Sequence, residues 1–122
     1  MAQEASVPRS RRIIVYPGSS VWQTARQAAG CELTASQAMH AGEGETSILL
    51  HAAPLLVRDG YETADHRADE RPDLLLHGLR AYTSTGVVGQ PSLASAQKGA
   101  ALLDAFESQF ARRLDELRKP IP

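Results

Sequence analysis

The chain of 122 residues contains one cysteine, Cys31, and no asparagine. A single cysteine excludes a disulfide framework and any paired CxxC zinc pattern, and it predicts a reducing, cytoplasmic compartment. Aromatic residues are scarce at 5%. They do not interleave with a basic run, so no nucleic-acid partner is expected. No apolar run approaches the roughly 18 residues that a membrane span needs. The stretch from Met1 to Arg12 is polar and has no signal-peptide core, so no membrane partner is expected either. An excess of charge of one sign is also missing: 13 Lys+Arg stand against 14 Asp+Glu. There is no GxSxG nucleophile elbow, and Gly86-Val87-Val88-Gly89 is too sparse for a phosphate loop. What remains is one domain with one core, read as a flexible tail over residues 1–10 and a domain over residues 11–119.

Along that domain, Ile13-Ile14-Val15-Tyr16 reads as a short buried strand closed by Pro17-Gly18. A short helix is expected within Ser20 to Ala29, ended by Gly30. A second runs from Glu43 to Ala53 and is broken by Pro54. Residues 58–73 are charged and turn-rich, which predicts a solvated loop. Leu74-Leu75-Leu76 and Leu79 to Tyr82 fit either a strand or a short helix. From about Ser92 to Arg118 the spacing of Leu103, Phe106, Phe110, Leu114 and Leu117 predicts one long amphipathic helix. Strands alternating with helices predict an α/β fold, a layered α-β-α arrangement around a mainly parallel sheet.

The densest chemistry lies in His40-Ala41-Gly42-Glu43-Gly44-Glu45-Thr46-Ser47, where an imidazole, two carboxylates and two hydroxyls meet at a helix mouth. Carboxylates in a first helical turn face free backbone N–H groups and the positive end of the helix dipole. They stay ionised and oriented, as a metal ligand or a general base must be. His40 precedes the helix, so its side chain and that of Glu45 could point into one cleft.

This segment resembles the HAGExETS signature of the creatininase family, metal-dependent amidohydrolases that include creatinine amidohydrolase. Downstream, Gly86-Val87-Val88-Gly89-Gln90-Pro91-Ser92-Leu93-Ala94-Ser95-Ala96-Gln97-Lys98-Gly99 is similar to the family's GVxGDPxxAxxxKG segment. The likeness runs from about Arg12 to Leu117 and matches the C-terminal half of a usual member. It implies a half-length version of the family's layered α-β-α fold. It also implies hydrolysis of a C–N amide or cyclic amide bond with a divalent metal: zinc, manganese or iron. Carried across, His40 is the candidate catalytic acid/base and Glu45 the candidate metal ligand, with Gly42, Glu43, Gly89 and Pro91 as motif residues. Trp22 is a candidate substrate-binding residue, because related enzymes place aromatic rings at the pocket.

The family's other metal-site elements, a Glu-x-His pair and an NGHGGN-like segment, do not occur here. Where the family carries an Asp before its HAG, this chain has Ser36-Gln37-Ala38-Met39; where it has GDP, this chain has Gly89-Gln90-Pro91. These departures imply a partner-dependent site, completed by a homo-oligomer or by a complementary polypeptide carrying the N-terminal half. The partner of an active form is a small amide substrate. Two plainer readings stand beside this one. The chain can be a non-catalytic binding or assembly module, or a truncated remnant. In either, Glu45 caps its own helix and His40 bonds a nearby carbonyl, while Trp22 is a half-exposed anchor and Glu43 an exposed first-turn carboxylate. His51 reads as a packed residue, the Asp65-His66-Arg67-Ala68-Asp69 run as solvated surface, and His77 as a turn residue.

Overall fold

Each principal helix is set by signals at its own ends. A computed structural model describes residues 12–120; the tail expected over residues 1–10 lies outside them. Helix α1, Ser19–Ala28, closes at Gly30, whose φ of +68° only glycine adopts readily. There the Cys31 N–H bonds the Arg26 carbonyl at 2.9 Å and the Gly30 N–H bonds Gln27 at 3.1 Å, the paired reverse bonds of a Schellman ending. Helix α2, Glu43–Ala52, starts after Gly42 and stops before Pro54. Helix α3, Leu74–His77, is a single turn. Helix α4, Ala96–Arg118, is capped by Ser95, whose Oγ accepts from the Lys98 N–H at 3.1 Å. Short 3₁₀ turns at Pro54–Leu56, Tyr61–Thr63, Leu79–Ala81 and Pro91–Leu93 fill the connections.

The α/β expectation is overturned. Among the described residues there is no strand and no sheet, only two isolated antiparallel bridges, His40 with Val88 and His66 with Gly89. The β-branched run Ile13 to Tyr16 has no regular secondary structure, bends at Tyr16 and joins no ladder among the described residues, and Leu74 to Leu76 resolve as helix. A strand is stable only through pairing with a neighbour. The described sequence offers one β-branched run and no second to receive it. The long helix also starts later than about Ser92: Pro91–Leu93 is a separate 3₁₀ turn, and Ser95 is the cap.

Helix α4 packs along α2 and, further on, α1. Its fully buried residue is Leu102, not a member of the expected stripe; with Ala25, Ala38 and Val88 it makes the apolar core. The stripe serves a second contact. Phe106 meets the Trp22 ring edge-on at 4.7 Å between centroids, and Phe110 meets Tyr16 at 5.2 Å. Arg12 reaches across to donate to the carbonyls of Glu116 and Lys119 at the end of α4. No helix among the described residues is long and apolar enough to cross a membrane.

The α2–α4 contact is close enough to require glycine. A Cβ on Gly99 would lie 2.0 Å from the Ser47 carbonyl oxygen, so the two backbones touch there. Gly99→Ala must force the helices apart, and a loss of about 3 kcal/mol in urea unfolding is expected from overpacking of this kind.

Candidate functional site

The first turn of α2 is built around a buried carboxylate. Glu43 is 0% exposed, which corrects its reading as an exposed first-turn residue. Its Oε1 receives the Lys98 ammonium at 2.6 Å, and Lys98 also donates to the Leu93 carbonyl at 2.9 Å. Its Oε2 accepts the Glu32 N–H at 2.9 Å and lies 3.7 Å from the Arg26 guanidinium. Arg26 in turn holds the Leu33 carbonyl with Nε at 3.1 Å and a terminal nitrogen at 2.7 Å. A buried carboxylate survives only when its lone pairs and charge are answered, and here α1, the loop after it and α4 all answer it. Lys98 belongs to the second motif, so this ion pair joins the two motifs.

Glu45 stands at the third helical position. It accepts the backbone N–H of Ala41, one residue ahead of the N-cap Gly42, so one of its oxygens ties the entering loop to the helix. Ala41 itself has φ +50°, a left-handed conformation in which a non-glycine residue is strained. His40 is exposed, and its backbone is fixed by two bonds to Val88, N–H to O at 3.1 Å and O to N–H at 2.9 Å. Beside it Gly42 packs on Gly89. A Cβ on Gly89, whose φ is +153°, would fall 2.8 Å from the Gly42 Cα. The motif glycines therefore let the two segments touch, and Pro91 is buried behind them.

The run from Asp65 to Asp69 is exposed at all but Ala68, and it is also tethered to the second motif. His66 pairs with Gly89 through backbone bonds of 2.9 and 2.8 Å, so His40 and His66 bracket Val88-Gly89 from two sides. The His66 Nε2 lies 2.7 Å from the Tyr82 carbonyl; a carbonyl only accepts, so Nε2 carries the proton. Asp65 accepts the Ser92 N–H at 2.9 Å and the Ser92 hydroxyl at 2.6 Å, with Gln90 at 3.4 Å. The resemblance led to a carboxylate at position 90; the chain has Gln90 there, and Asp65 brings a carboxylate to the same turn from across the fold. Partial desolvation raises the Asp65 pKa, and the bonds from Ser92 and Gln90 outweigh it, leaving the group below its ordinary value. Nothing in the spacing marks Arg26 or Asp65. Lys98 was visible as part of the second motif, but only the fold shows what it binds.

The remaining candidates fall elsewhere. Trp22 meets Phe106 edge-on at the α1–α4 contact. His51 is exposed, with its Cβ against Gly99 of α4, which is a rim position and not a core one. Cys31 is half-buried, and desolvation with the nearby Glu43 carboxylate raises its thiol pKa, which disfavours a nucleophilic role. No group of three or more His, Cys, Asp or Glu among the described residues could hold a metal ion. His40 and Glu45 alone do not supply the donor set of a divalent site.

An open cleft of about 400 Å³ lies against the same elements. Its lining includes Ala41 and Thr46 of the first motif, Val87 and Pro91 of the second, and Leu49 and Tyr61. The family profile for creatininase (creatinine amidohydrolase) matches residues 2–114. The chain belongs to the creatininase family. Curated relatives include the mycofactocin precursor peptide peptidases of two Mycobacterium tuberculosis strains, CDC 1551 / Oshkosh and H37Rv. Both are 37% identical over 78 residues, covering 62% of this chain and 31% of the relative. The enzyme of the same name from Mycobacterium ulcerans strain Agy99 is 36% identical over 80 residues, 60% of this chain and 32% of the relative. The match thus spans about a third of the length of these creatininase relatives. No solved structure matches the chain significantly.

Two outcomes follow for the creatininase motifs. Glu43→Ala strands Lys98 and Arg26 and is expected to remove about 3–5 kcal/mol of stability in urea titration. Asp65 has a folded pKa below its unfolded one, so its contribution is complete above the ordinary carboxylate value of about 3.9 and is lost as pH falls through the folded value. Thermal melts of Asp65→Ala should therefore lie below the parent at neutral pH and converge with it in acid.

Proposed function

We propose that this chain contributes the proton-transfer side of an amide-hydrolysing site, acting on a C–N amide or cyclic amide bond. One observation carries the reading: the locked motifs hold an exposed residue, His40, directly before Ala41, which lines a cleft formed by residues of both motifs. An imidazole can both hold and give up a proton, and with its backbone fixed at both N–H and C=O it can deliver one to a leaving nitrogen without a large rearrangement. Membership of the creatininase family and its peptidase relatives support the amide class.

The divalent metal that the family implies, zinc, manganese or iron, needs donors beyond His40 and Glu45. We place those donors on a second polypeptide, either another copy or a complementary chain. Glu45 faces that role with one oxygen already engaged by Ala41. A second reading draws on the same engagement. If Glu43 and Glu45 serve only to build the helix mouth, the chain is a non-catalytic binding or assembly module that keeps the fold.

Turnover separates the two. Release of amine from a panel of simple amides, with divalent metal and the partner supplied, should fall about 10²–10⁴-fold in His40→Ala. Because His40 is exposed, the melting temperature should not move. Equal rates in parent and variant would remove His40 from the reaction and favour the binding module.

A further inference from the structure

The cleft beside His40 has a chemistry of its own. Its floor and walls are mostly apolar, with Leu49 at 42% and Leu56 at 72% exposure turned toward solvent. Arg58 and Asp59 both line it, so their charges offset and no net charge calls for an ionic ligand. Its size falls at the lower end of small-ligand clefts. Thr46 is not a free polar anchor, since its hydroxyl already faces the Ala41 carbonyl at 3.4 Å. Ala41, strained and directly after His40, forms part of the wall. Whatever fills the cleft touches Ala41, the residue that follows the candidate proton donor in the chain.

We infer that the cleft is a subsite for an uncharged, apolar side chain adjoining the scissile bond of a peptide-like amide. This rests on the amide-hydrolysis reading for the position of the bond. The match of side chain to cleft rests on the cleft itself. Three features select this occupant. Both signature motifs contribute to the wall, which ties the cleft to the chemistry and not to a remote surface. The lining offers mostly apolar area with no net charge, which suits an aliphatic or aromatic group. The curated relatives are peptidases of a precursor peptide, a substrate that presents side chains next to its amide bonds. Leu49 and Leu56 would lose their water when such a group enters, and that is the source of affinity.

The test uses N-acetyl-leucinamide and N-acetyl-glycinamide as probes, followed by amide chemical shifts of the full chain. The leucine probe should shift Ala41, Thr46, Leu49 and Tyr61 and bind about tenfold or more tightly than the glycine probe, the factor that burying a branched aliphatic group provides. Leu49→Glu should abolish that preference. Leu49 is partly exposed, so the variant should fold; Leu56→Glu, at a more exposed position, is the second variant. Equal binding of the two probes, shifts that map away from the cleft, or a preference untouched by both variants would overturn the subsite. So would a dimer by light scattering that Leu49→Glu dissolves, because a second copy would then be the occupant. Binding is read without turnover, which keeps the two readings apart. Preferential binding in the cleft with no cleavage of any amide leaves the subsite standing and removes the hydrolase. Cleavage of both probes at equal rates with no shifts in the cleft does the reverse.

Discussion

A carboxylate withdrawn from water organises this fold. Glu43 has no exposure, and its partners come from three places far apart in sequence: Arg26 on α1, the Glu32 and Leu33 backbone, and Lys98 on α4. The apolar core is small, with Leu102 its largest side chain. Apolar burial alone would tolerate several relative placements of three helices, since it has no direction. Ion pairs and N–H bonds to one carboxylate have direction, and they leave one placement. Ser47 reinforces it: its hydroxyl donates to the Glu43 carbonyl at 2.6 Å and accepts the Ser95 N–H at 3.1 Å. The start of α4 is thereby tied to the first turn of α2, so the second motif is positioned by the first.

From that centre outward, the candidate chemistry is held by backbone rather than by side chains. His40 is pinned through Val88, and His66 through Gly89, leaving the His40 imidazole free of the task of building the fold. Glu43 and Glu45, two residues apart in one helical turn, divide their work. Glu43 is buried and engaged by ion pairs and backbone N–H groups, while Glu45 holds the Ala41 N–H at a more open position. A motif read as one catalytic string therefore contains residues with different physical duties. The density of polar groups in this segment serves the making of the helix mouth, through Glu43, Glu45 and Ser47.

What was legible in the sequence was local. The limits of α2 follow from Gly42 and Pro54, and the end of α1 follows from Gly30, because caps and breakers act within a few residues. The long helix was visible by its period, although its start was placed too early because Pro91 and Ser92 also suit a helix entrance; they begin a 3₁₀ turn instead. The sheet was illegible for a physical reason. Ile13 to Tyr16 advertise a strand, but a sheet is a statement about partners, and none is encoded in the described residues. Glu43 was misplaced for the same reason: a first-turn carboxylate faces solvent unless distant cations arrive, and no window around Glu43 contains Lys98 or Arg26. Both motifs were recognisable as strings; their contact was not.

The meeting of Gly42, Gly89 and Ala38 limits how this lineage can drift. A Cβ on Gly42 would sit 3.0 Å from the Ala38 Cβ, and one on Gly89 would press on both Ala38 and Gly42. Three positions separated by up to about two-fifths of the chain thus share a single volume, and a larger residue at any one needs a smaller one at another. Only one exchange stays open, alanine at 42 with glycine at 38, because Gly42 has an ordinary φ of −93° whereas the φ of +153° holds position 89 to glycine. One position of the trio is therefore fixed by its backbone and the other two are fixed by each other.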